Sequence, residues 1–341
     1  MFSKLTEVFE IQTYLQTQIL QKKDNTMKIA IITLNPGVDR IVYLPDPLRP
    51  GTMNRSTHTV MNQGSKGANQ AMMLQRLGEQ PTYYAFTGGA MGDFCESFTR
   101  DAGIHSRFTP TACGVRLNIK VIDSEGGCTE LNEKGGPVTQ QELDSLLESL
   151  YCDISRYDTV SLCGSIPQGV EKSVYNSIIR RAREAGVPTV LDCDGEALSL
   201  GLQAKPTLIK PNRRELAGLI GVDEEKLRSF DFLVEACGKV FFHYDTDVIC
   251  TLDEDGSVYV GRDGVWKIGV APVSLRGFSG AGDTYLSAFI HKRYGERRPI
   301  DEALRYAAAA SCAKIALEGT TLPDVDQIEA LVNQIKIEKI R

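Results

Sequence analysis

Residues 277–283 read Gly-Phe-Ser-Gly-Ala-Gly-Asp. Glycines let a backbone approach an anion closely, and the free N–H groups and dipole of a helix N-terminus favour negative charge there. Leu286, Phe289, Ile290 and Arg293 recur at i, i+3, i+4 and i+7, which predicts the helix that such a turn would open. Asp283 stands at its mouth, where a carboxylate opposes any bound anion. Two roles fit it equally: a helix N-cap in a tight turn, or a base taking a proton from an attacking hydroxyl. A second constellation is Lys210-Pro211-Asn212-Arg213-Arg214-Glu215. Glu215 three residues beyond Asn212 brings two oxygen donors to one helix start, which suits Mg²⁺ held through water or, equally, a helix cap with its N3 glutamate. A third, Gly64-Ser65-Lys66-Gly67-Ala68-Asn69, opens another helix with a cation for phosphate and an amide for hydroxyls. It is neither a Walker A loop nor a dinucleotide fingerprint.

These residues need a scaffold, and short apolar runs alternate with helical patterns along nearly the whole chain. Strands are predicted at 28–34, 82–86, 159–163, 188–192, 207–209 and 247–252, and helices at 67–77, 94–101, 141–150, 172–184, 214–220 and 300–317. Near-continuous apolar strands alternating with helices signal a mostly parallel sheet covered on both faces, an α/β class. The strand ends carry Asn35-Pro36, Thr87-Gly88-Gly89, Gly164-Ser165, Asp194-Gly195, Lys210-Pro211-Asn212 and Asp253. Ligands of open α/β sheets bind outside the carboxyl ends of the strands, so these polar ends outline one cleft. Residues 115–122 and 128–133 break the pattern as two antiparallel strands about Ser124-Glu125-Gly126-Gly127. Their alternation puts Arg116, Asn118 and Lys120 on one face. Together with 40–44 and 52–59 they suggest a small sheet acting as a lid.

At 341 residues and net charge −6, with 42% hydrophobic and 24% charged residues, the chain reads as an ordinary globular protein acting on small molecules. The acidic balance speaks against nucleic acid or a membrane surface as partner, and no apolar run approaches the ~20 residues of a membrane span. Nine cysteines without Cys-x-x-Cys, and four scattered histidines, offer no zinc site and suit a reducing, cytoplasmic setting. Residues 1–26 lack a signal-peptide pattern and are read as an extension.

In order along the chain, Asn35-Pro36-Gly37-Val38-Asp39, the 64–69 loop, Arg116-Leu117-Asn118, Thr129-Glu130-Leu131-Asn132, Gly164-Ser165-Ile166-Pro167, the 210–215 segment and Gly280-Ala281-Gly282-Asp283 resemble the PfkB, or ribokinase-like, family of carbohydrate kinases. The resemblance runs from about Lys28 to Pro323 and leans toward its 1-phosphofructokinase and tagatose-6-phosphate kinase branch. It implies a three-layer α/β/α sandwich with a mostly parallel central sheet and a small antiparallel β-lid. The expected organisation is an extension at 1–26, a kinase domain at 27–325 with its lid at about 39–59 and 112–135, and a helical tail at 326–341. The implied reaction moves the γ-phosphoryl group of ATP, with Mg²⁺, to a ketohexose phosphate. Asp283 would be the base, with Gly280, Ala281 and Gly282 as the anion hole. Asp39, Gly64, Lys66, Asn69, Arg116, Asn118, Glu130, Asn132 and Ser165 would hold the sugar phosphate. Lys210, Asn212, Thr251 and Gly256 would hold the nucleotide, Asn212 with Glu215 the metal, and the helix through 307–313 would wall the adenine. A homodimer through the lid is a further expectation.

Two residues depart from the family pattern: Ser65 takes the place of a usual glycine, as does Asp253 near the nucleotide phosphates. The Asp253 side chain is expected to face solvent, given the retained cleft residues. Two rival readings are a kinase of an unphosphorylated sugar or nucleoside, against which Lys66, Arg116 and Ser165 speak, and a catalytically silent sugar-phosphate sensor, against which the intact Gly280–Asp283 turn speaks.

Overall fold

A computed structural model describes residues 26–277, 279–319 and 321–341. The expected extension, save Thr26, and Phe278 of the glycine-rich turn lie outside the described residues. The central sheet has ten strands in the order β14-β13-β12-β11-β10-β9-β8-β1-β4-β5. Its parallel part comprises β1 (Lys28–Thr33), β4 (Gln80–Thr87), β5 (His105–Pro110), β8 (Thr159–Cys163), β9 (Thr189–Asp192), β10 (Leu208–Ile209) and β11 (Asp247–Thr251). The antiparallel edge is β12 (Ser257–Gly261), β13 (Gly264–Ile268) and β14 (Ile337–Lys339).

The central strands are buried on both faces, so they read as unbroken apolar runs. Ile29 and Ile31 of β1 enter one core, while Ala30 and Ile32 enter the other. The first core lies under α1 (Lys66–Arg76), α8 (Ala281–Ile290), α9 (Ile300–Ile315) and α10 (Val325–Val332). The second lies under α3 (Gln140–Asp153), α4 (Val174–Glu184), α5 (Gly195–Leu202), α6 (Arg213–Ile220) and α7 (Phe230–Tyr244). Helix α2 (Gly89–Asp101) follows β4. The chain runs outward from β1 to β4 and β5, then returns to β8 on the other side of β1. This reversal is the switch point at which open α/β sheets gather their ligands.

The lid is a separate four-stranded sheet in the order β3-β2-β6-β7, formed by β2 (Gly37–Tyr43), β3 (His58–Gln63), β6 (Arg116–Ile122) and β7 (Cys128–Asn132). Its outer pairings are antiparallel, but β2 and β6 run parallel, Asp39 opposite Asn118. The polar stretch expected to contribute at 52–59 does so later, from His58. The tail expected to be helical is only half so: after α10, Ile337–Lys339 takes strand geometry and pairs with β13. No helix among the described residues is long and apolar enough to cross a membrane.

Candidate active site

Gly280 is the N-cap of α8 in the left-handed conformation, φ 81°, a geometry that costs a glycine nothing. The first-turn amides at 281–283 have no acceptor within the helix, and Lys210 closes on them: a Cβ at Gly282 would lie 3.3 Å from its Nζ. Asp283 follows in that first turn and is buried. The side-chain amide of Asn69, on α1, donates to its Oδ2 at 2.8 Å. Burial raises the Asp283 pKa above the ordinary carboxylate value and the nearby Asp192 carboxylate adds to this, while Lys66, the Asn69 bond and Lys210 oppose it. A carboxylate so placed is more basic than one in water.

Asp192 ends β9 and is 1% exposed. Its Oδ1 lies 2.8 Å from Lys66 Nζ and 3.6 Å from Lys210 Nζ. Burial works against its charge, but the two ammonium groups prevail and hold its pKa below the usual value. Its Oδ2 is buried without a hydrogen-bond partner. Lys66 Nζ also reaches Glu215 Oε1 at 3.9 Å. The Asn212 side-chain oxygen is taken by the N–H of Glu215 at 2.7 Å, and Glu215 Oε2 by the N–H of Asn212 at 2.9 Å. The capping box is therefore formed. Asp192 carries no motif of its own; the one sequence signal was a carboxylate closing an otherwise apolar strand.

A second group lies on the lid. Asp39 is 2% exposed; its Oδ1 accepts from Asn118 Nδ2 at 3.0 Å, and its Oδ2 pairs with Lys120 Nζ at 2.7 Å. A Cβ on Gly64 would fall within bonding distance of Asp39 Oδ1, so the 64–69 loop approaches this carboxylate as only glycine can. Ser65, by contrast, sits in extended backbone with φ −97° and its hydroxyl contacts Tyr83 OH at 3.0 Å. No glycine conformation is required there, which explains why serine is accommodated. Lys120 Nζ also donates to Ser279 Oγ at 3.0 Å, joining the lid to the glycine-rich turn. Arg116 Nη1 donates to the Glu133 carbonyl at 3.0 Å, while its Nε is buried with no partner. Ser165 accepts from Asn35 Nδ2 at 2.9 Å. Glu130 and Asn132 pair with each other, at 3.0 Å, on the exposed β7.

At the end expected to hold the nucleotide, Thr251 N donates to the Pro211 carbonyl at 3.0 Å, setting Thr251 beside Asn212. Gly256 closes the following turn, and Arg213 Nη2 pairs with Asp255 at 2.7 Å. The alanines of 307–313 line the first core. Asp253 is exposed and has φ 52°, the backbone region that favours the usual glycine. A solvated carboxylate outside direct contact is screened by salt, so Asp253→Gly should change the dissociation constant for Mg²⁺-ATP by less than about threefold in titration calorimetry. A tenfold tightening would show the charge facing the phosphates.

The pfkB family carbohydrate kinase model matches residues 27–327. The 1-phosphofructokinase of Escherichia coli K12 is 28% identical over 313 residues, covering 91% of this chain and 98% of that protein. The 1-phosphofructokinase of Bacillus subtilis is 28% identical over 312 residues, covering 92% of this chain and 100% of that protein. A solved structure from Thermotoga maritima, described as a possible 1-phosphofructokinase, superposes with a TM-score of 0.82 at 26% identity, covering 92% of this chain and 100% of the other.

Proposed function

The chain belongs to the pfkB family of carbohydrate kinases, and from that premise we propose that it phosphorylates a ketohexose monophosphate, with fructose 1-phosphate as the favoured acceptor, to give a bisphosphate. One observation carries the choice of a phosphorylated acceptor. Arg116 presents a buried, unpartnered Nε at the start of a lid strand, two residues from the Asn118 that bonds Asp39. Burial pulls its pKa below the ordinary guanidinium value while Asp39 and Glu133 pull it up. An acceptor phosphate would give that buried N–H the anionic acceptor it lacks.

In the proposed reaction Asp39 and Asn69 orient the sugar hydroxyls. Asp283 takes the proton of the attacking hydroxyl as its oxygen bonds to the γ-phosphorus and the bond to ADP breaks. The amides at 281–283 with Lys210 and Lys66 receive the charge on the transferring oxygens. The residues present fit Mg²⁺: Asp192 and Glu215 are hard oxygen donors whose Oδ1 and Oε1 lie 2.8 and 3.9 Å from the same Lys66 ammonium, and Asp192 keeps its Oδ2 buried without a partner. Among the described residues no group of three or more His, Cys, Asp or Glu gathers as a metal cage, consistent with an ion that keeps water and phosphate in its shell. Mg²⁺ when bound would neutralise charge on the nucleotide oxygens, and Asp192 and Glu215 would hold it.

The test is ADP release measured with fructose 1-phosphate, fructose 6-phosphate, tagatose 6-phosphate and the free sugars, in the natural protein and in Arg116→Ala. Losing a charge-assisted contact costs about 1.5–3 kcal/mol, so KM for the phosphorylated acceptor should rise roughly 10- to 150-fold. Free sugars should be poor acceptors and little affected. Equal losses on both would reduce Arg116 to a lid support, and preference for a free sugar would overturn the acceptor class. The exposed Val60, Met61 and Leu131 of the lid's outer strands support a dimer through the lid; a single-chain mass in solution at micromolar concentration would dismiss it.

A further inference from the structure

Lys314, next to last in α9, is 1% exposed and among the largest fully buried side chains. Its Nζ donates to the Gly319 carbonyl at 2.8 Å. It packs against the glycine-rich turn. The Arg276 and Gly277 amides both donate to the Ile315 carbonyl, at 2.8 and 3.0 Å. A Cβ on Gly277 would lie 3.5 Å from Lys314 Nζ and 2.5 Å from the Leu317 carbonyl, and one on Gly280 would lie 3.5 Å from Lys314 Cε. The lysine is thus enclosed between the backbone that carries the catalytic turn and the 314–319 turn after α9. Asp283 of α8 and Lys120 of β6 are the charged groups that act on it.

A methionine would fill this volume without the cost of burying a charge. The ammonium therefore calls for a role, and its place names one. We propose that Lys314 is a positioning residue for phosphoryl transfer, its ammonium fixing the 277–280 turn, and with it the amides that open α8, against the 314–319 turn. This rests on the kinase reading above. Burial lowers the Lys314 pKa to about 8, with Asp283 pulling it up and Lys120 pushing it further down. The tether is mostly charged at neutral pH and lost in mild alkali.

Three measurements test this. Lys314→Met, checked for folding by circular dichroism, should lower kcat by roughly 10²-fold with KM for both substrates within a few-fold, the scale of a small misplacement of catalytic groups. Amide hydrogen exchange, which needs no turnover, should show lost protection at 276–283 in this variant and unchanged protection in β1 and β8. In the natural protein kcat should fall as pH rises through about 8, and the variant should lack that limb. If Lys314→Met does not fold, the pH profile of the natural protein decides alone. A kcat within threefold of natural with unchanged exchange, or a natural profile flat from neutral pH to mild alkali, would overturn the proposal. A natural protein silent on every acceptor would defeat the kinase reading instead, and the exchange measurement would still judge the tether.

Discussion

Asp283→Asn should lower kcat by roughly 10²–10⁴ while both substrates still bind within a few-fold of their natural affinity. The amide keeps the shape and can still meet Asn69, whose side chain has both donors and an acceptor. What disappears is the capacity to take a proton. Because burial and Asp192 hold the Asp283 pKa up, the natural enzyme should gain activity as pH rises through a range above that of an ordinary carboxylate. Below that range the base is protonated and cannot act. Near-normal turnover by a folded Asp283→Asn protein would remove Asp283 from the chemistry.

Asp192→Asn should be damaging twice over. At neutral pH the buried carboxylate is ionised between Lys66 and Lys210, and neutralising it removes the charge the two ammonium groups share, leaving Lys66 only the more distant Glu215 at 3.9 Å. Breaking a buried ion pair typically costs about 3–5 kcal/mol, and the partial solvent access of Lys66 argues for the lower end, about 3 kcal/mol, in denaturant unfolding at pH 7. The sign follows from its depressed pKa: the stabilisation is complete above the ordinary carboxylate value and is lost only as pH falls through the folded one. Natural and variant stabilities should therefore converge in acid. The second loss is in the apparent Mg²⁺ affinity of turnover, weaker by roughly 10- to 100-fold. Unchanged stability with unchanged metal dependence would make Asp192 a bystander.

The parallel strands were legible because burial on both faces leaves them uniformly apolar, and their polar ends mark the cleft without any structure. The antiparallel edge was harder to see. Ser257–Gly261 and Gly264–Ile268 are short strands holding two glycines between them, and Ile337–Lys339 is a strand only because β13 offers it a partner. Helix Phe230–Tyr244 was missed because its aromatic residues and Gly238 blur the 3.6 period. In the site, Asp283 and the lid face of Asn118 and Lys120 could be read from local pattern. Asp192 could not, since its meaning depends on a lysine 126 residues away. The Asn212 and Glu215 spacing was ambiguous for a physical reason: a helix cap and a cation site require the same two oxygens at the same separation. In the fold the Asn212 oxygen accepts the cap bond from the Glu215 N–H, and Asp192 comes close to Lys66 from another strand.

Lys120 bonds at once to Asp39 on the lid and to Ser279, four residues before Asp283. In the proposed reaction a sugar hydroxyl that donates to Asp39 would share or displace this ammonium, and the change would reach the turn proposed to receive the phosphoryl group. Acceptor and nucleotide would then be thermodynamically linked through one side chain. Such linkage is reciprocal: the factor by which the sugar phosphate alters the affinity for ATP is the factor by which ATP alters the affinity for the sugar phosphate. The pairing of substrates would in this sense be written into a single lysine bonded both to Asp39 and to the residue before Gly280.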